Sequence, residues 1–175
     1  MSVRLTVASA GYQAEFLAAV RRSRTLHRPW VNPPRTKEQF QLYLKSRQGP
    51  NCASYFVLSD EEDALVGVIN VSEIVRGAFQ SAYLGYYAFS PHHRRGYMRE
   101  GLTAVVDLAF RGLGLHRIEA NIQPQNRPSL ALVNAIGFRK EGFSKRYLKI
   151  SGRWRDHERW AVTREDWQEL RKQRR

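Results

Sequence analysis

Apolar positions alternate from Val3 to Ala8 and then recur four apart at Tyr12, Phe16 and Val20, so the chain is expected to open with a short strand and an amphipathic helix over residues 10–26. The proline-rich run HRPWVNPP ends that helix. Thr36 and Gln39 stand at capping-box spacing and predict a second helix to about Arg47, with Phe40, Tyr43 and Leu44 as its buried stripe. Gln48 to Asn51 close it. From Ala53 the period shortens to that of strands: ASYFVLS, an acidic turn DEED, ALVGVINVSEI, a loop RGAFQS and then AYLGYYAFS read as an antiparallel meander.

After a turn at Gly96, the apolar residues Leu102, Val105, Val106, Ala109 and Leu113 mark a helix that should end at Gly114, and HRIEANIQ is the following strand. Strand, helix and strand imply a right-handed crossover to a parallel neighbour. PQNRPSLALVNAIGF predicts a short helix stopped by Gly137. Two last strands, about 138–150 and 154–162, meet at an SGR turn, and Thr163 caps a basic C-terminal helix. The expected class is α/β, with a mixed, mostly antiparallel sheet of about seven strands flanked by helices.

A length of 175 residues with 42% hydrophobic and 11% aromatic content fits one domain over 1–175. The lone Cys52 cannot form an internal disulfide, and MSVRLTVASAG lacks the apolar run of a signal peptide, so a cytoplasmic setting is expected. Asp63, Glu73 and Arg76 interrupt the most apolar region before it reaches the roughly 18 residues of a membrane span, which predicts a soluble chain without a membrane partner. The net charge is +13, and Arg164, Arg171, Lys172, Arg174 and Arg175 crowd the C-terminus. A phosphate-rich cofactor, a nearby ribosomal RNA surface and plain colloidal solubility all account for that charge. A positive field disfavours polycationic small molecules such as aminoglycosides.

The most specific local signal is HRRGYM at 93–98, between the apolar strand YLGYYAF and the amphipathic segment 97–113. A strand that turns through glycine into a helix presents main-chain N–H groups and the positive end of the helix dipole, which together hold a pyrophosphate. Arg94, Arg95, Gly96, Tyr97, Met98 and Arg99 would form that cradle; a solvated basic loop is the plainer alternative. No metal spacing occurs, since His92 and His93 are adjacent and no cysteine or carboxylate set completes a site.

The order of these parts, closed by N-x-x-S-x-x-L-x-x-x-x-G-F over 126–138, resembles the GNAT family of acetyl-CoA-dependent N-acetyltransferases across nearly the whole chain. The family's cofactor motif falls on His93 to Met98, with His93 in place of the usual Gln or Arg and Met98 in place of the usual small residue. LHRIEANIQPQNRPS, GFRKEG, YLKISGRWRDH, VRGAFQSAYLGY and the Pro29-Trp30 pair look like the RimJ subgroup, whose members acetylate the N-terminal alanine of a ribosomal protein.

The resemblance implies splayed central strands, about 82–90 and 115–123, that admit the pantetheine arm of acetyl-CoA. Main-chain groups near Phe89 and Ser90 would pair with that arm, and an N–H there would stabilise the developing oxyanion, a contact worth about 3 kcal/mol. Asn126 would bond the arm and Ser129 would protonate the departing thiolate, although both residue types also favour helix caps. Glu73 and Glu119 are candidate bases acting through water, or ion-paired strand residues. An α-amine needs little help: exposing its free base at pH 7 costs about 1 kcal/mol, against about 4.6 for a lysine. Trp30, Tyr147 and Trp154 are candidate walls of a groove for a protein N-terminus, with core packing as the simpler role and, for Trp154, anchoring of the hairpin turn; Asp156 should fix that turn too, and His116 and His157 are structural, with Arg117 and Asp156 as neighbouring partners. Cys52 lacks the context of a nucleophile, so direct transfer in a ternary complex is expected. Acceptance of a small amine or polyamine, and a non-catalytic CoA- or RNA-binding module, are the alternative functions.

Overall fold

A computed structural model describes residues 2–173, so Arg174 and Arg175 of the basic C-terminal run lie outside the described residues. Seven strands form one sheet in the order β1-β2-β3-β4-β5-β7-β6: β1 Val3–Val7, β2 Ala53–Ser59, β3 Ala64–Val75, β4 Ser81–Ala88, β5 Arg117–Ile122, β6 Arg139–Ile150 and β7 Arg153–Thr163. Every pairing is antiparallel except β4 with β5. That parallel pair is joined by the helix α4, Tyr97–Arg111. The mixed, mostly antiparallel sheet agrees with the sequence.

Helices cover both faces because the long strands β2 and β3 are apolar on both sides. One face carries α1, Gln13–Arg22, and α3, Lys37–Ser46. There the Phe16 ring lies 4.7 Å from Phe40, 5.8 Å from Phe56 and 5.8 Å from Phe89, all of them fully buried. The other face packs α4 and α5, Arg127–Ile136, over β5, and Trp167 of α6, Arg164–Gln173, closes the cluster by donating to Asp107 Oδ1 at 2.7 Å.

Both predicted caps form. Thr36 Oγ1 accepts from Gln39 N at 3.2 Å, and Thr163 Oγ1 accepts from Asp166 N at 3.3 Å. The predicted helix over 10–26 is instead three pieces: a 3-10 turn at Ala10–Tyr12, then α1, then the short α2, Arg24–His27. The break falls at Ser23, whose buried hydroxyl accepts the main-chain N–H of Ser90, a tertiary demand that periodicity does not reveal. Helix α4 also stops short of Gly114. Gly112 N and Leu113 N both bond to Leu108 O, at 2.7 and 3.0 Å, and the chain then reverses at Gly114 with φ +66.

The β6–β7 hairpin turns on Ser151 and Gly152, both at positive φ, as the SGR signal requires. Asp156 does not hold that turn. Its Oδ1 accepts from Arg146 N at 2.8 Å and pins an irregularity in β6 between Ser144 and Leu148. Trp154 is 61% exposed and lines neither of the cavities described below.

Phe16 is the hub of the aromatic face, so Phe16→Ala should lower unfolding free energy by about 3–5 kcal/mol in urea titrations.

Candidate active site

The pairing of β4 with β5 runs only from Ser81 to Tyr83, while β4 continues to Ala88 and β5 stays paired with β7 to Ile122. The two central strands therefore part in mid-sheet. Phe89 N donates to Val66 O at 2.8 Å, which fixes the phase of the antiparallel β3–β4 ladder. Alternation from that bond turns the main-chain groups of Leu84, Tyr86 and Ala88 away from β3 and toward the gap. Ala88 O is met by His27 Nε2 at 2.9 Å.

The N–H groups of Phe89 and Ser90, expected near the cofactor arm, are both engaged within the protein. The N–H of Phe89 is spent on Val66 and that of Ser90 on Ser23 Oγ at 2.9 Å, and neither residue lines a cavity. The strand ends one turn of alternation earlier than the sequence implied, because Phe89 is drawn into the aromatic core. The main-chain groups that face the gap are those of Leu84, Tyr86 and Ala88.

Two cavities meet at this gap. One, of about 430 Å³, runs past His93, Arg94, Gly96, Met98 and Arg99 at the head of α4. The other, of about 400 Å³, opens past Glu73, Tyr83, Tyr147 and His157. Trp30, Tyr86, Asn126 and Ser129 line both.

At the mouth of the first cavity, Arg94 has φ +62 and Gly96 φ +87, with Arg95 between them. Left-handed residues separated by one position curl successive N–H groups into an anion-binding concavity, and Gly96 is also the N-cap of α4. Of the side chains expected here, Arg94, Met98 and Arg99 reach the cavity and two do not. Arg95 bonds Glu62 Oε1 at 2.8 Å and covers the Tyr97 ring at 5.3 Å; Tyr97 is buried with its hydroxyl 3.4 Å from Ser59 Oγ. Those two contribute main chain alone. Met98, where the motif expects a small residue, is accommodated by Gly67 on β3: a Cβ there would overlap Met98 Sδ and lie 3.0 Å from Tyr87 O.

Asn126 is the N-cap of α5, and its Oδ1 accepts from Ser129 N at 3.3 Å. Capping and site geometry are thus one arrangement, because the cap fixes Ser129 in the first turn while its hydroxyl shares a 2.7 Å hydrogen bond with Tyr86. Burial pushes the Tyr86 phenol well above its ordinary pKa, so it stays protonated. Sequence reading passed over Tyr86; its signal was the tyrosine pair in a strand adjoining the glycine turn.

The two carboxylates separate. Glu73 has φ +51 at an irregularity in β3 between Ser72 and Val75, and it lines the second cavity. Glu119 lines neither cavity. Arg117 Nε holds it at 2.9 Å, and the same guanidinium bridges Glu141, so of its two expected roles the structure shows the ion pair. Tyr147 does line the second cavity, as does Tyr83. His116 pairs with Glu165 at 2.9 Å rather than with Arg117. His157, 2% exposed, bonds Arg155 O at 2.9 Å rather than Asp156 and faces the second cavity.

A sheet opened between two central parallel strands, with a left-handed turn heading the crossover helix beside the gap, is the architecture of one acyl-transfer family. Residues 4–139 match its domain, described as Acetyltransferase (GNAT) domain. The chain belongs to the GNAT family. Escherichia coli ribosomal protein uS5-alanine N-acetyltransferase is 45% identical over 116 residues, 66% of this chain and 60% of that protein. The probable N-acetyltransferase YjcK of Bacillus subtilis is 39% identical over 110 residues, 63% of this chain and 61% of that one. The chain thus matches about three fifths of the length of these curated relatives. Among solved structures, Mycobacterium smegmatis RimJ in complex with CoA-disulfide superposes with TM-score 0.87 at 26% identity, covering 99% of this chain and 90% of that one. A Vibrio cholerae spermidine N-acetyltransferase shares the fold, with TM-score 0.80 at 21% identity and coverages of 95% and 98%.

GNAT acetyltransferases use acetyl-CoA, and the residues here fit it: a main-chain edge free of strand partners for the amides of the arm, and a left-handed pair heading α4 for the pyrophosphate. Among the described residues no cluster of metal-ligating side chains occurs.

Gly96→Val places a β-branched residue at φ +87, so CoA affinity measured by calorimetry should fall together with a stability loss of about 1–2 kcal/mol. Burial holds the buried His27, His92 and His157 below the ordinary imidazole pKa. Their folded pKa values lie below the unfolded value of about 6.5, so the unfolded chain binds protons first as pH falls. Stability is therefore complete above about pH 6.5 and declines below it, which urea midpoints at pH 7.5 and pH 5 will register.

Proposed function

We propose that this chain transfers an acetyl group from acetyl-CoA directly to the N-terminal α-amine of a protein beginning with Ala or Ser, with a ribosomal protein as the natural acceptor. The observation that carries this reading is the meeting of two cavities at Trp30, Tyr86, Asn126 and Ser129, which lets donor and acceptor approach those residues from separate pockets. The likeness to ribosomal-protein acetyltransferases supports the acceptor class.

Acetyl-CoA supplies an activated acyl group on a thiol that leaves readily. The N–H groups of Tyr86 and Ala88, turned toward the gap, face the position where negative charge develops on the carbonyl oxygen. Ser129 gives a hydrogen bond or proton to the departing sulfur, and Asn126 keeps the serine in place. Trp30 and Tyr147 wall the acceptor side, where a narrow aromatic pocket favours a small first residue.

The acceptor is a peptide rather than a polyamine on electrostatic grounds. Glu73 is the one carboxylate among the residues lining the acceptor cavity, and the chain as a whole carries +13. A polycation needs several carboxylates to offset its desolvation, whereas a single α-amine, uncharged in a useful fraction near pH 7, does not. The same positive field fits proximity to ribosomal RNA.

Thiol release from acetyl-CoA, with intact mass of the acceptor, should show turnover on peptides beginning Ala or Ser, little on Met, and a roughly 100-fold loss of kcat in Ser129→Ala. Turnover on spermine with none on peptides would move the acceptor to a small amine. Salt-sensitive RNA binding without thiol release would reduce the chain to a binding module.

A further inference from the structure

The proton inventory of this site is unusual. Acetyl transfer joins nitrogen to the acyl carbon as the carbon–sulfur bond breaks; the nitrogen ends with one proton fewer and the sulfur with one more, and nothing is oxidised or reduced. A carboxylate base would normally collect the first proton. Glu119 is locked by Arg117, and Glu73 lines the acceptor cavity without lining the donor cavity. Neither spans the gap.

The group that does span it is the hydroxyl pair of Tyr86 and Ser129, 2.7 Å apart, each residue lining both cavities. A hydroxyl donates and accepts at once, so two in contact pass a proton along without either becoming charged for long. Their supports are rigid. Tyr86 stands on β4, held in register with Ile69 of β3, and Ser129 is fixed through its own N–H by the Asn126 cap.

We propose that Tyr86 and Ser129 form a proton relay across the sheet gap, taking the proton from the nitrogen being acylated and delivering one to the departing sulfur. This rests on the acetyl-transfer reading above. Ser129 gives its proton to the sulfur, Tyr86 replaces it, and the nitrogen's proton replaces that of Tyr86, so both hydroxyls finish as they began. Burial, which keeps the Tyr86 phenol protonated, suits a relay and not a base. Among enzyme groups, none need then change charge, and the pH dependence of the chemical step follows the acceptor amine alone, without a carboxylate limb.

The test is the single-turnover rate of acetyl transfer in mixtures of H₂O and D₂O for the wild-type chain, Tyr86→Phe, Ser129→Ala and the double variant. Two protons in flight give wild type a curved dependence on deuterium fraction. Tyr86→Phe keeps the ring, so it should lose about 10- to 100-fold in rate, show a linear dependence, and leave the KM for acetyl-CoA within about threefold. Because the hydroxyls act as one unit, the double variant should be no slower than the slower single variant. The proposal is overturned if Tyr86→Phe stays within about twofold of wild type, if the loss lies in KM, if the two losses add, or if wild type itself is linear. Ser129→Ala breaks the relay from its other end, so its rate and deuterium dependence decide the matter independently should the Tyr86 variant fold poorly in circular dichroism. All arms use whichever amine the wild-type chain acetylates. Transfer to spermine alone would sink the peptide assignment while the relay is still judged by the same rates, and transfer to no amine would sink both.

Discussion

The site depends on one missing interaction: the hydrogen bonds that β4 and β5 would make beyond Tyr83. Main-chain donors and acceptors taken out of water without partners are costly, so a gap in the middle of a sheet persists only if something else meets those groups or water reaches them. Here the gap is held open from both sides. β5 is paired with β7 along its length, and Phe89, just past the end of β4, is drawn into the aromatic cluster around Phe16. His27 meets one of the exposed carbonyls. An extended ligand with amide groups is the natural partner for the remainder.

Once the strands part, the surrounding features follow in order. The chain must leave β4, turn and enter α4, and the left-handed Arg94 and Gly96 gather N–H groups where the gap opens at one side of the sheet. Helix α5 begins at the end of β5, and its cap sets Ser129 against Tyr86 across the gap. The two cavities share Trp30, Tyr86, Asn126 and Ser129 because both border the same opening. Of the ion pairs nearby, Arg95 with Glu62 is half-exposed and braces a loop rather than carrying much stability, while Arg117 with Glu119 and Glu141 is more buried and ties β5 to β6.

Much of this was legible without coordinates. Periodicity located the strands and the main helices, the caps at Thr36 and Thr163 formed as their spacing required, and the Gly96 turn and the Asn126 to Phe138 run carried the family resemblance. The errors share a cause. Ser23 breaks a helix to accept from Ser90, Phe89 is withdrawn into the core, and Asp156 pins an irregularity in β6 instead of a turn. Each is a contact between residues that local pattern cannot pair.

The sequence by itself determined most of the elements, their order and the glycine turn into α4, because those rest on local periodicity, caps and glycine conformation within a few residues. Only the tertiary structure decided which main-chain groups face the gap, that Gly67 makes room for Met98, and that Tyr86 meets Ser129. Those are matters of register between strands and of packing across the sheet. A shift of one residue in register would turn Tyr86 to the opposite face and dissolve the site while leaving every element in place.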